Sequence, residues 1–274
     1  MKFKYLIIIF NIIIVFFLCV IAILPLLLVG TEFSVNFWKS AWPLALVLVL
    51  FLGILNVIFM LNYRLLMLIE REDWPALAYY LEQKVFIKNQ YSPRKVRLLA
   101  NSYLVMCDFP SVFKLESKLS TVKPSLIADN VLVFGSARIL NGEHKKAVYL
   151  FRTCLEKGKI KEEQWARWFL GFSQMLSGAF DEAELEFKVL AASSGDALIA
   201  GLSAYFLVTV LAKRSFKQAE ILEISNSSRD RVKNTLKDVA DWKKEADKAG
   251  TEVHTAIVRK YIDEAGTWLF GENL

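Results

Sequence analysis

FGSARILNGEHKKAVYLF at residues 134–151 and LGFSQMLSGAFDEAELEF at residues 170–187 are the stretches that decide the fold. Set one under the other, Gly135, Gly142, Ala147 and Phe151 meet Gly171, Gly178, Ala183 and Phe187, each 36 residues later and without a gap. A Gly inside an apolar run lets a second helix approach closely, and an Ala on that second helix does the same from the other side. Gly142 and Gly178 supply the backbone freedom of a short turn. Phe151 and Phe187 follow each Ala by four residues, so they share its helical face and can fill the gap between successive units. The pattern predicts a helix-turn-helix unit, repeated.

Working outward, Trp74 and Leu77, Phe109 and Val112, His144 and Ala147, Phe180 and Ala183, and Phe216 and Ala219 recur every 35 or 36 residues. Ala100, Tyr103 and Pro124 hold the crossing, neighbouring and terminating places of an upstream unit. Leu65 stands where the first Gly would be, while Leu207 and Glu223 replace the Gly and the Phe of the last unit. The whole resembles the tetratricopeptide repeat family over about Leu65 to Ile224, four or five units, enough to stack a continuous core. That resemblance implies an all-α solenoid over 65–224 that binds rather than catalyses, with the first helices lining a concave groove. Beyond it, Ser225 to Ser228 is expected to break the pattern and cap a charged helix from Arg229 to Lys248, with Val232, Leu236 and Val239 on one stripe. Gly250 ends that helix and Val253 to Phe270 forms another, so 225–274 reads as capping helices.

Residues 1–64 read as a membrane hairpin. Tyr5 to Thr31 and Ser40 to Tyr63 carry no charge, and each is long enough for a helix of about 20 residues to cross a hydrocarbon layer; spans are expected at about 5–29 and 41–63. The first run exceeds a signal-peptide core and lacks a small-residue cleavage site. Gly30 to Pro43 is expected to be the connection, with Trp38 and Trp42 at the headgroup boundary. Lys2 and Lys4 before the first span, and Arg64, Arg71, Lys84, Lys88, Arg94, Lys95 and Arg97 after the second, place both ends in the cytoplasm. With Leu65 inside the first unit, the array grows directly out of the membrane helix.

Composition narrows the function. A net charge of +6, with basic residues interspersed among acids, fits attraction to anionic lipid and gives no nucleic-acid stripe. Cys19, Cys107 and Cys154 have no paired spacing, and His144 and His254 have no metal-ligating neighbours, so no cofactor or metal is expected. Phosphate-cradling loops, nucleophile elbows and metalloprotease motifs are absent from the sequence, which reads as non-enzymatic.

Two candidate binding sites remain. Trp165, Trp168, Phe172 and Met175 step by three, four and three, placing them on one helical face; they are either the lining of the concave groove or core. In members of the family that clasp a peptide's carboxylate, a basic residue and an Asn take the places of Arg97 and Asn101, although Val133, Trp165 and Phe169 replace the remaining polar residues. The sequence thus describes an inner-membrane scaffold that recruits a protein partner through its concave surface. The competing reading is a self-assembling structural subunit of a flagellar or secretion machine, with a possible homo-oligomer.

Overall fold

The computed structural model describes residues 3–158, 160–250 and 253–271, and these are all-α. Two compact units divide the chain, Met1–Tyr80 and Leu81–Leu274.

In the first unit, α1 (Phe3–Val29) and α2 (Thr31–Glu70) are joined by Gly30 alone, at φ 89°. Only a residue without a side chain takes that conformation readily, so the chain turns at one position. The expected connection through Pro43 does not exist; Pro43 lies within α2. The two helices pack together, and Asn11 and Asn56 exchange amide hydrogen bonds between them at 3.1 and 2.8 Å. Among the described residues, Leu46–Glu70 is long and apolar enough to cross a membrane by length and composition, while Ile8–Ile21 is a shorter apolar stretch. The expected domain boundary at 64/65 falls inside α2, which runs unbroken to Glu70; α3 (Trp74–Glu82) follows and ends in a wider turn over Gln83–Ile87.

One turn is built four times. Glu72, Cys107, Gly142 and Gly178, at intervals of 35, 35 and 36 residues, all have φ between 53° and 86°. The next backbone N–H reaches back five residues in each case: Asp73 to Leu68 O (3.2 Å), Asp108 to Tyr103 O (2.9 Å), Glu143 to Arg138 O (2.8 Å) and Ala179 to Gln174 O (2.9 Å). This left-handed C-cap satisfies the last carbonyls of one helix and aims the chain into the next. The 35-to-36-residue recurrence in sequence is therefore a recurrence in backbone geometry.

In the second unit the helices follow in pairs: α4 (Pro93–Val105) with α5 (Phe109–Val122), then, after the short α6 (Ser125–Ala128), α7 (Val131–Leu140) with α8 (His144–Lys157), and α9 (Glu163–Leu176) with α10 (Phe180–Ser193). Next, α11 (Ala197–Phe206) continues through a wide turn at Leu207–Leu211 and pairs with α12 (Gln218–Thr235). Ser92 and Asp108 cap α4 and α5 through the backbone N–H groups of Lys95 and Ser111. Phe151 covers the place a Gly135 side chain would take and stacks on Phe169 of the next pair, 6.0 Å between rings. Phe187 lies over Gly171 and stacks on Phe206 in the same way, at 5.7 Å. Each phenyl ring thus locks its own pair and binds it to its successor, and burying one stabilises by about 1.5–3 kcal/mol.

The remaining chain departs from the sequence reading. Ser225 to Ser228 does not break a helix; it lies within α12, with Ser225 and Ser228 buried. The break comes instead at Leu236 to Asp238, where Asp238 accepts from the Asp241 N–H at 2.9 Å and starts α13 (Val239–Ala249). The expected single helix from Val253 is two, α14 (Val253–Ile257) and α15 (Arg259–Phe270), parted at Val258.

Candidate functional site

The aromatic stripe of α9 is core. Trp168 is wholly buried, Trp165 and Phe172 nearly so, and Met175 is half-buried. Trp168 stacks on Phe172 at 5.2 Å and meets Phe187 at 5.9 Å and Phe206 at 5.7 Å. The groove reading is corrected by what lies across the stripe: His254 of α14 sits 5.5 Å from the Trp165 ring, and Tyr261 of α15 sits 5.7 Å from Phe172. The chain's own later helices fill that face. A step of three and four residues reveals a face but not what covers it, which is why the stripe alone left both readings open.

Those helices are firmly seated. Trp242 of α13 fills a notch whose walls are two glycines, since a side chain at Gly201 would come within 2.8 Å of its ring and one at Gly266 within 2.6 Å. Its indole N–H donates to Ile262 O at 2.9 Å. The Tyr205 hydroxyl donates to Glu264 at 2.9 Å, and Arg229 donates to Leu269 O at 3.0 Å. Desolvation first, and the neighbouring Glu264 carboxylate second, push the Tyr205 hydroxyl up to about 12.

Arg97 and Asn101 are not brought into one clamp. Arg97 donates to Asp129 O at 3.3 Å and lies 3.8 Å from the Glu162 carboxylate, so an internal carboxylate stands where a peptide terminus was expected. The His254 imidazole is 3.9 Å from the same carboxylate. Burial first, and the Arg97 charge second, hold that imidazole down at about 4, so it is neutral near pH 7. Arg97, Asn130, Glu162 and His254 border a cavity of about 10 Å³, room for about one water. Asn101 is half-buried outside it, its Oδ1 without a hydrogen-bond partner among the described residues.

Two of the second helices carry exposed apolar side chains. Tyr149 of α8 and Leu185 of α10, 36 residues apart, are 74% and 66% exposed, with Val189 one turn beyond Leu185 at 54%. Between α8 and α10 runs a groove of about 400 Å³ whose floor is α9. Arg152 and Glu182 pair across it, and Gln174, almost wholly buried in its floor, donates to Glu182 at 3.1 Å while its Oε1 has no hydrogen-bond partner among the described residues. Burial raises the nearby Glu186 carboxyl above its ordinary value, against the opposing charges of Arg167 and Arg152. The 36-residue register already aligned Tyr149 with Leu185; what hid them was the expectation that function resides on the concave face. Among the described residues no His, Cys, Asp and Glu cluster could hold a metal ion.

Residues 111–271 match the family described as "Uncharacterised Treponema protein", a stretch lying within the second unit from α5 to α15. An "Uncharacterized protein" of Treponema pallidum (strain Nichols) is 30% identical over 224 residues, covering 78% of this chain and 68% of the relative. No solved structure matches the chain.

Proposed function

We propose that this chain, which belongs to the Treponema protein family matched over residues 111–271, is a membrane-anchored, non-catalytic scaffold of tetratricopeptide-like units. It holds a protein partner at the inner membrane. The observation that carries this reading is the turn built four times at Glu72, Cys107, Gly142 and Gly178, because a recurring helix-turn-helix unit of this kind builds extended binding surfaces. The anchor consists of both α1 and α2. Their reciprocal Asn11–Asn56 pair satisfies two amides inside an otherwise apolar hairpin, where unpaired polar groups are expensive. The positive charge flanking the spans sets the repeat units on the cytoplasmic side.

With the inner face filled by α14 and α15, the partner docks on the outer ridge of Tyr149, Leu185 and Val189 and the groove beside it. Photo-crosslinking residues introduced at Tyr149 and Leu185 in intact cells should each capture the same second protein, while one at Trp168 should capture none. Capture from Trp168 alone would refute the assignment, and capture of further copies of this chain would favour a self-assembling subunit instead.

A further inference from the structure

The fifth unit breaks the shared turn. Where Gly142 and Gly178 stand, this unit has Arg214, which is not in the left-handed region. The wide turn before it closes through the Ala212 N–H to Leu207 O at 2.7 Å, and the Arg214 and Ser215 N–H groups then return to Leu211 O at 2.9 and 3.0 Å. The corresponding residues of the other second-unit turns, Phe109, His144 and Phe180, begin their helices and are half-buried. α12 instead begins at Gln218, and Phe216 is thrown fully into solvent. Around it stand Lys213, Arg214 and Lys217, all exposed, with no carboxylate between Lys213 and Gln218. Arg214 lies over the Phe180 ring at 4.4 Å, which fixes the root of the loop. The nearest acid in sequence, Glu220, is turned to Lys188 at 2.9 Å.

We infer that the loop Lys213–Lys217 is a second membrane contact that docks on an anionic phospholipid surface, Phe216 entering the headgroup boundary and the three cations meeting lipid phosphates. A lone exposed phenyl ring ringed by cations matches the two components of interfacial binding, apolar insertion and attraction to anionic lipid. Each cation near such a surface contributes about fivefold in affinity, so three contribute roughly a hundredfold. The inference rests on the membrane-anchored reading, because the tether is what keeps so small a contact at high local concentration.

The full chain tests this in lipid nanodiscs, with Cys19, Cys107 and Cys154 replaced and a fluorophore on Gln218→Cys. In discs containing phosphatidylglycerol and a spin-labelled lipid, the fluorophore should be quenched. In phosphatidylcholine discs it should not, and high salt should relieve the quenching. Phe216→Ser, and separately Lys213→Gln with Lys217→Gln, should each reduce quenching to the phosphatidylcholine level. Incorporation into discs without lipid-dependent quenching, or quenching that both variants retain, overturns the loop contact and leaves the anchor standing. Failure of the chain to enter discs at all overturns the anchor and this inference together.

Discussion

Gly135→Ala and Gly171→Ala are the same chemical change at equivalent places, yet they should have opposite severity. A side chain carbon at Gly135 would fall inside the Phe151 ring, which is wholly buried and pinned against Phe169. At Gly171 the nearest atoms are a ring carbon of Phe187 at 3.2 Å and the Glu186 Cβ at 3.3 Å, which a shift of a few tenths of an ångström relieves. Replacing Gly by Ala in a helix interior gains about 0.8–1 kcal/mol, while overpacking a tight core loses about 1–3 kcal/mol. The Gly135 change takes the upper end of that loss, for a net destabilisation of about 2 kcal/mol, whereas the Gly171 change comes out near zero. For a unit of this size that difference corresponds to roughly 4–8 °C in the thermal midpoint. Urea or thermal unfolding of the full chain in mild detergent, followed by the fluorescence of its seven tryptophans, of which Trp165, Trp168 and Trp242 are buried in this unit, measures it. Adding Phe151→Leu should recover part of the Gly135→Ala loss, because the smaller side chain yields the space. Equal stability of the two Ala variants, or no coupling to Phe151, would show that the ring does not lie on Gly135.

Two other outcomes follow from the same structure. With the folded imidazole of His254 held at about 4 against 6.5 for the exposed group, stability is full above pH 6.5 and falls as pH drops from there to about 4, by roughly 3 kcal/mol at 1.36 per tenfold; unfolding midpoints measured across that window should decline less in His254→Gln than in the wild type. Gly178→Ala, in open space but at φ 86°, should lose about 1–2 kcal/mol, and Cys107→Gly at φ 56° should gain up to about 1 kcal/mol, the left-handed cost of a side chain less the chain freedom that Gly gives up, both read from the denaturant midpoint.

The pair repeat was legible because its marks are chemical: a Gly under a Phe and a Gly in a left-handed turn are demands that the residues themselves carry. Cys107 and Glu72 meet the same backbone demand without being Gly, and only the aromatic two residues later betrays them. The α12 boundary was illegible for the opposite reason. Ser225 to Ser228 carries cap chemistry, but Ser225 and Ser228 are buried by the packing of α12, and tertiary burial outweighs a weak local preference. The site followed the same division. Periodicity placed Trp165, Trp168 and Phe172 on one face, but the partner of that face lies some 80 to 90 residues further along the chain, a distance at which no periodicity speaks. Arg97 was found as a basic residue with a carboxylate to meet, and the carboxylate proved to be Glu162 of the same chain.

The late position of the helices that cover α9 bears on the order of events during synthesis. A ribosome adds roughly 5–20 residues each second, so α1 and α2 have left it, and α9 has emerged, several seconds before Tyr261 exists to meet Phe172. In that interval Trp165 and Phe172 lack the cover of His254 and Tyr261, the kind of exposure that chaperones recognise and that misassembly exploits. A transcript cut short before residue 253 would leave that cover missing for good, and its product should be found in aggregates or degraded.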